Sequence, residues 1–107
     1  MRPTTARGVA LQALGRVERD GAFANLALDT ACSDAGLSPR DAALATELTY
    51  GLLRRRASLD AALAPWVRSG WGSLEPEVRD LLRLGAYQIL HTRIPPHAAV
   101  AATAEVA

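Results

Sequence analysis

The chain contains no lysine, and it is also poor in aromatic residues. All twelve of its basic residues are arginine, and aromatic residues make up 5% of its 107 residues. Arginine binds phosphate groups through paired hydrogen bonds and stacks on bases, which suits an RNA-binding protein. A GC-rich genome produces the same composition without any role in binding, because it encodes arginine and alanine at the expense of lysine. The missing lysines therefore leave both explanations open.

The chain also lacks the residue patterns of a catalytic or metal site. Cys32 is the single cysteine, which excludes an intramolecular disulfide and a thiolate metal site. His91 and His97 are separated by Pro95-Pro96, so they do not share a helix face as a paired metal motif does. Gly70-Trp71-Gly72 is too short for a phosphate-binding loop and is typical of a turn with a packed tryptophan. We expect no catalytic residue, no metal site and no cofactor site.

Long hydrophobic runs are missing as well. No apolar run approaches the roughly 18 residues that a transmembrane helix needs. The first eight residues, Met-Arg-Pro-Thr-Thr-Ala-Arg-Gly, lack the apolar segment of a secretory signal. These absences predict a cytoplasmic protein with no membrane partner.

Alanine dominates the hydrophobic half of the chain, and this composition predicts an all-α fold, because alanine loses no side-chain entropy in a helix. The length predicts one domain with a modest core. Apolar spacing and capping residues predict five to six helices: Thr4 or Thr5 to Arg19, Asn25 to Asp34 with Asn25 as the cap, Ser38-Pro39 to about Arg55, Ser58 to about Trp66, Pro76 to about His91, and His97 onward, still running at Ala107. The fifth helix is apolar around most of its circumference, which is typical of a central, buried helix.

Arginine clusters are the remaining functional signal, since the net charge is only +1. Basic residues on one face are typical of phosphate binding. Arginine at a helix C-terminus also stabilises the helix dipole, so the clusters have a purely structural explanation too. The aromatic residues are dispersed and do not predict a base-stacking array. The candidate RNA-binding residues are Arg2, Arg7, Arg16 and Arg19 in the N-terminal segment, and Arg54, Arg55 and Arg56 in a second cluster.

Four blocks of sequence, taken in order, carry a family resemblance. They are Ala6 to Leu14, Gly21 to Leu28, Arg40 to Arg56 with its Tyr-Gly-Leu-Leu-Arg-Arg motif, and Val78 to Val100 with its Thr-Arg-Ile-Pro-Pro-His-Ala-Ala motif. With these blocks the chain resembles the NusB-like RNA-binding domain. It is most similar to the version that forms the N-terminal part of the bacterial small-subunit rRNA cytosine-5 methyltransferases, the RsmB/Sun group. Free-standing members tend to carry an Asn-Glu pair where this chain has Ala101-Ala102.

The resemblance implies a NusB-like helical array that residues 1–107 do not complete at its C-terminal end. In NusB the basic N-terminal segment contacts RNA together with a ribosomal protein, a role that the resemblance transfers by position to Arg7 and Arg2. The implied parent enzyme would transfer a methyl group from S-adenosylmethionine to C5 of a cytosine, using a nucleophilic cysteine in a downstream domain. We therefore expect residues 1–107 to be non-catalytic, with Cys32 taking no part in that chemistry.

Three functions follow as expectations. The first is an RNA-binding domain that docks a methyltransferase on small-subunit rRNA. The second is a free-standing NusB-like transcription antitermination factor that binds RNA with a ribosomal protein. The third is a structural domain that packs on the missing methyltransferase domain and contacts no RNA.

Overall fold

The computed structural model describes residues 3–106, and within that range it contains six α-helices and no β-strand. The all-α prediction is therefore confirmed. The chain divides into two compact units, residues 1–50 and 51–107, and the division falls within the third helix. The helices are α1 Ala6–Asp20, α2 Ala24–Ala35, α3 Pro39–Arg54, α4 Arg56–Leu63, α5 Pro76–His91 and α6 Pro96–Glu105, with short 3-10 turns at Ala64–Trp66 and Trp71–Ser73.

The predicted boundaries of α1 and the predicted start of α3 are confirmed, because local capping groups define them. The Thr5 hydroxyl accepts a hydrogen bond from the backbone N–H of Gly8 at 3.1 Å, and the Ser38 hydroxyl accepts one from Asp41 at 3.2 Å. These side chains satisfy N–H groups that have no partner within their own helix. Gly21 ends α1 in the left-handed conformation at φ 64°, which glycine adopts without steric penalty.

Two predicted helix starts were wrong. α2 begins at Ala24, with Phe23 in the capping position, so Asn25 lies inside the first turn and does not cap the helix. α4 begins at Arg56, two residues before the predicted Ser58. The backbone N–H of Arg55 still bonds to α3, and its carbonyl accepts the first bond of α4 from Leu59 at 2.9 Å. A single residue therefore joins α3 to α4.

The last helix begins at Pro96, one residue before its predicted start at His97, and extends to Glu105. Ala107, to which it was predicted to continue, lies outside the described residues.

The N-terminal unit has a core of small side chains between α1 and α2. Alanine makes up most of this core, which lets helix backbones approach closely. Leu44 and Tyr50 of α3 pack against its edge as partly buried side chains. The core residues are Ala6, Val9, Ala13, Ala27, Leu28, Ala31 and Ala45.

In the C-terminal unit α5 packs against α4 and α6. Leu59, Leu84 and Tyr87 are buried there. A Cβ atom on Gly51 would overlap the hydroxyl end of Tyr87. The Tyr-Gly-Leu-Leu motif thus contains a glycine because the buried Tyr87 ring occupies the space of a side chain.

α5 is not buried all round, contrary to the sequence prediction. Its buried side includes the polar residues Asp80, Arg83 and Gln88. The Gln88 side-chain amide donates to the Leu84 carbonyl at 3.0 Å and to the Thr103 hydroxyl at 2.8 Å, which ties α6 to α5. The other side carries apolar residues that are 38–58% exposed, namely Val78, Leu82, Ile89 and Leu90. The prediction from hydrophobic periodicity was wrong because buried polar groups that hydrogen-bond one another take the place of apolar residues in this core.

Candidate nucleic-acid interface

The three arginines of α1 do not share one face. Arg7 is half-buried, whereas Arg16 and Arg19 are exposed. At about 100° per residue, Arg7 and Arg16 lie on opposite flanks of the buried stripe, and Arg19 lies near the back of the helix. The Arg19 guanidinium lies over Gly15, 3.1 Å from the position that a Cβ atom would occupy. Arg2, the fourth candidate in this segment, lies outside the described residues.

The α3–α4 junction does gather its arginines. Arg54 is the last residue of α3, Arg55 joins the helices, and Arg56 is the first residue of α4. Arg54 and Arg55 are exposed, and Arg56 is half-buried. Three consecutive arginines therefore lie where the backbone turns from α3 into α4.

Helix capping accounts for only part of this cluster. Arg54 lies at the negative end of the α3 dipole, where a positive charge stabilises the helix. Arg56 lies in the first turn of α4, at the positive end of a dipole, where a like charge costs about 0.3–1 kcal/mol. Capping of a helix C-terminus, which was predicted for all three residues, therefore does not explain Arg56.

The positive charge of the chain is concentrated in residues 51–74, which we call the basic segment. Residues 1–50 carry five arginines and six acidic residues, and residues 51–107 carry seven and five. The basic segment alone carries four arginines, the fourth being Arg68, and a single acidic residue, Asp60. A net charge near zero thus conceals one strongly basic stretch.

Asp60 is already bonded to an arginine from outside the basic segment. Arg83 Nε and Nη2 donate to the two carboxylate oxygens of Asp60 at 2.6 and 2.9 Å, and Arg83 Nη1 donates to Asp80 at 3.1 Å. Burial by itself lowers the pKa of Arg83, but the hydrogen bonds and charges of Asp60 and Asp80 outweigh it and raise that pKa above its usual value. Arg83 is 2% exposed and lies 5.4 Å from the centre of the Trp71 ring, so it is a structural cation.

Sequence reasoning missed both Arg83 and Trp66. Nothing in the sequence around Arg83 indicates its role, because its partner Asp60 lies 23 residues away. Trp66 is 85% exposed, the highest value for a large apolar side chain among residues 3–106. Trp71 is half-buried in a 3-10 turn, which confirms the prediction of a turn with a packed tryptophan. Each tryptophan follows a residue that is common in turns, Pro65 before Trp66 and Gly70 before Trp71. The local sequence therefore does not show which tryptophan is exposed and which is packed.

No His, Cys, Asp and Glu side chains within residues 3–106 form a group of three that could hold a metal ion. Cys32 is half-buried in α2, where burial and, to a smaller extent, the charge of Asp29 raise the pKa of its thiol. In the same range, no helix has the length and apolar character needed to cross a membrane.

The described residues form a small all-helical domain that carries a basic segment. Comparison with known proteins identifies the family to which this domain belongs. The model of the NusB family matches residues 4–107, and the chain therefore belongs to the NusB family. It is 45% identical over 102 residues to a putative methyltransferase of Mycobacterium tuberculosis, covering 95% of this chain and 22% of the relative. No solved structure gave a significant match.

Two further relatives have more specific names. The ribosomal RNA small subunit methyltransferase B of Thermus thermophilus is 45% identical over 107 residues, which cover 100% of this chain and 26% of the relative. The probable enzyme of that name in Bacillus subtilis is 36% identical over 108 residues, covering 100% and 24%. The chain thus spans about a quarter of the length of these relatives and is homologous to part of each. The predicted resemblance to the RsmB/Sun group is confirmed.

Proposed function

We propose that this chain is an RNA-binding domain of an S-adenosylmethionine-dependent methyltransferase, and that it docks the enzyme on small-subunit rRNA for transfer of a methyl group to C5 of a cytosine. The names of the relatives support the substrate class. In this proposal residues 1–107 bind RNA and do no chemistry. S-adenosylmethionine and the nucleophile belong to the remaining three quarters of a protein of the relatives' length.

The observation that carries the RNA-binding role is the unbalanced charge of the basic segment. The segment carries four arginines against one acidic side chain, Asp60, and both carboxylate oxygens of Asp60 accept from Arg83. Exposed guanidinium groups release counterions from RNA when they bind phosphates, and this release drives association at low salt. We propose Arg54 and Arg55 as phosphate contacts, with Arg56 next in the chain and Arg68 beyond the other end of α4. The arginines of α1 are secondary candidates because they point in different directions.

The two other functions make different demands on the same arginines. An antitermination factor would bind RNA strongly only in the presence of a ribosomal protein, and the names of the relatives give it no support. A structural domain would use its arginines against another protein domain and would not bind RNA at all. Binding to RNA without a partner therefore separates the proposed function from both.

The test compares two double variants that change the net charge equally. Arg54→Gln/Arg55→Gln removes two charges from the basic segment, whereas Arg40→Gln/Arg93→Gln removes two exposed charges from outside it. Affinity for a short single-stranded RNA is measured by fluorescence anisotropy over a series of salt concentrations. The slope of log K against log salt is negative, and each lost phosphate contact reduces its magnitude by about 0.7, so the first variant makes the slope less steep by about 1.4.

The control variant leaves that slope unchanged if the location of the charge matters. Equal effects of the two variants would mean that net charge alone attracts RNA, and the proposed contact surface would be wrong. Undetectable binding of the unaltered chain at low salt would contradict the RNA-binding function itself.

A further inference from the structure

We propose that Trp66 stacks on an unpaired RNA base close to Arg68, while Arg54 and Arg55 contact phosphates at the opposite end of α4. This inference rests on the proposed RNA-binding function and goes beyond it, because it assigns a base contact and a preference for single-stranded RNA. Phosphate contacts alone do not distinguish unpaired RNA from a duplex in this way, since stacking on an aromatic side chain requires a base that is free of its partner strand.

The exposure of Trp66 is the first observation. Tryptophan side chains are highly buried on average, because leaving a large aromatic surface in water is unfavourable. Trp66 is nevertheless 85% exposed, and Trp71, five residues away, is half-buried beside Arg83. The C-terminal unit thus packs one tryptophan and presents the other to solvent.

The backbone around Trp66 holds the ring on an ordered support. Trp66 ends a 3-10 turn that continues directly from α4, and Pro65 restricts the backbone immediately before it. The backbone N–H of Val67 donates to the Ala64 carbonyl at 3.1 Å, and that of Gly70 donates to the Val67 carbonyl at 3.1 Å. Two successive turns therefore fix the backbone on which the ring is carried, which reduces the entropy lost when a base binds.

The charge around Trp66 favours a nucleic acid as its partner. Its exposed neighbours along the chain are Pro65, Arg68 and Ser69, none of which is a large apolar residue. An aromatic anchor for a protein partner lies at the centre of a desolvated patch, whereas a base-stacking aromatic in an RNA-binding groove stands among cations that track the phosphates. The α4 helix also links Trp66 to Arg56 at its other end.

Phe23 offers a matched comparison within the same chain. It is 75% exposed at the start of α2. No arginine lies within three residues of it, and residues 1–50 carry one more acidic residue than arginine. Removing Phe23 therefore takes away a similar exposed aromatic surface from a less basic environment.

The experiment measures binding of the 107-residue chain to a short, fluorescently labelled, single-stranded RNA of mixed sequence. We expect Trp66→Ala to weaken the affinity by about 5- to 150-fold, the equivalent of 1–3 kcal/mol for one stacked base. Trp66→Phe keeps an aromatic face and retains most of the affinity, and Phe23→Ala leaves the affinity unchanged. Far-UV circular dichroism verifies the helical content of each variant.

A second readout reports the tryptophan directly. The emission lost in Trp66→Phe belongs to Trp66, so the difference between the unaltered chain and this variant isolates its fluorescence without disturbing Trp71. Stacking on a base quenches that difference signal as single-stranded RNA is added. A duplex of the same sequence quenches it less, because its bases are already stacked on one another.

The outcomes separate this inference from the function on which it rests. If Trp66→Ala binds as tightly as the unaltered chain and the difference signal is not quenched, while binding remains salt-dependent, the stacking is wrong and the RNA-binding function stands. Equal losses for Trp66→Ala and Phe23→Ala would also overturn the stacking. If the unaltered chain binds no RNA, both proposals fail. Should Trp66→Ala lose its helical content, Trp66→Phe and the quenching measurement decide.

Discussion

The bond between Arg83 and Asp60 gives a sharp prediction about the stability of the C-terminal unit. The change is Asp60→Ala, which removes both carboxylate oxygens that accept from Arg83 at 2.6 and 2.9 Å. Arg83 keeps its single bond to Asp80 at 3.1 Å but loses the planar, paired contact. Because Arg83 is 2% exposed, water cannot replace the lost partner without opening the packing of α4 against α5.

The expected magnitude follows from the burial of the two partners. Removing one partner of a buried ion pair costs about 3–5 kcal/mol of unfolding free energy, because the remaining charge is left uncompensated. The Asp60 side chain is 29% exposed and Asp80 remains, so we expect the lower end, about 3 kcal/mol. In a domain of this size that loss lowers Tm by roughly 12–24 °C.

The assay is urea and thermal unfolding, followed by circular dichroism. The exposed Asp29→Ala serves as a control, with an expected change within about 0.5 kcal/mol. In an Arg83→Met background the Asp60→Ala change should cost almost nothing, because its partner is already gone. A cost below about 1 kcal/mol for Asp60→Ala alone, or the same cost in both backgrounds, would refute the structural role that we assign to Arg83.

The remaining predictions concern a glycine and the cysteine. Gly51→Ala should destabilise the chain by about 1–3 kcal/mol, because the added Cβ atom overlaps Tyr87, whereas helix propensity alone predicts a gain in stability. Gly72→Ala, whose Cβ atom would contact nothing within 4 Å, serves as the control in urea unfolding. A Gly51→Ala variant that is more stable than the unaltered chain would contradict the contact. Burial and the charge of Asp29 raise the pKa of the Cys32 thiol, which lowers its thiolate fraction at a given pH. Cys32 should therefore reach half of its maximal alkylation rate at a higher pH in the folded chain than in the urea-unfolded chain. Coincident pH profiles of the alkylation rate would contradict this prediction.

The parts of the fold that sequence predicted well depend on neighbouring residues. Thr5 and Ser38 cap the helices that they precede, and Gly21 ends α1, because each feature is settled within a few residues. The predicted cap at Asn25 failed because the first helical bond of α2 already runs from Ala27 to Phe23 at 3.0 Å. A capping residue type therefore predicts a helix start only where no earlier turn can form.

The parts that sequence could not predict depend on distant partners. The buried side of α5 contains Arg83 and Gln88, which hydrogen-bond to Asp60 and Thr103 on other helices. Hydrophobic periodicity treats both as solvent-facing residues.

The candidate interface shows the same division. The arginine clusters were readable from the sequence, but the position of Arg56 at a helix start, the bonding of Asp60 and the exposure of Trp66 required the packed structure.

The central claim is that this chain binds RNA through its basic segment, and the most direct test is the affinity of the unaltered chain for short single-stranded RNA over a series of salt concentrations. We predict tight binding at low salt that weakens linearly in a plot of log K against log salt, with a negative slope that becomes less steep by about 1.4 in Arg54→Gln/Arg55→Gln and is unchanged in Arg40→Gln/Arg93→Gln. Binding that is absent at low salt, or that does not respond to salt, would contradict it.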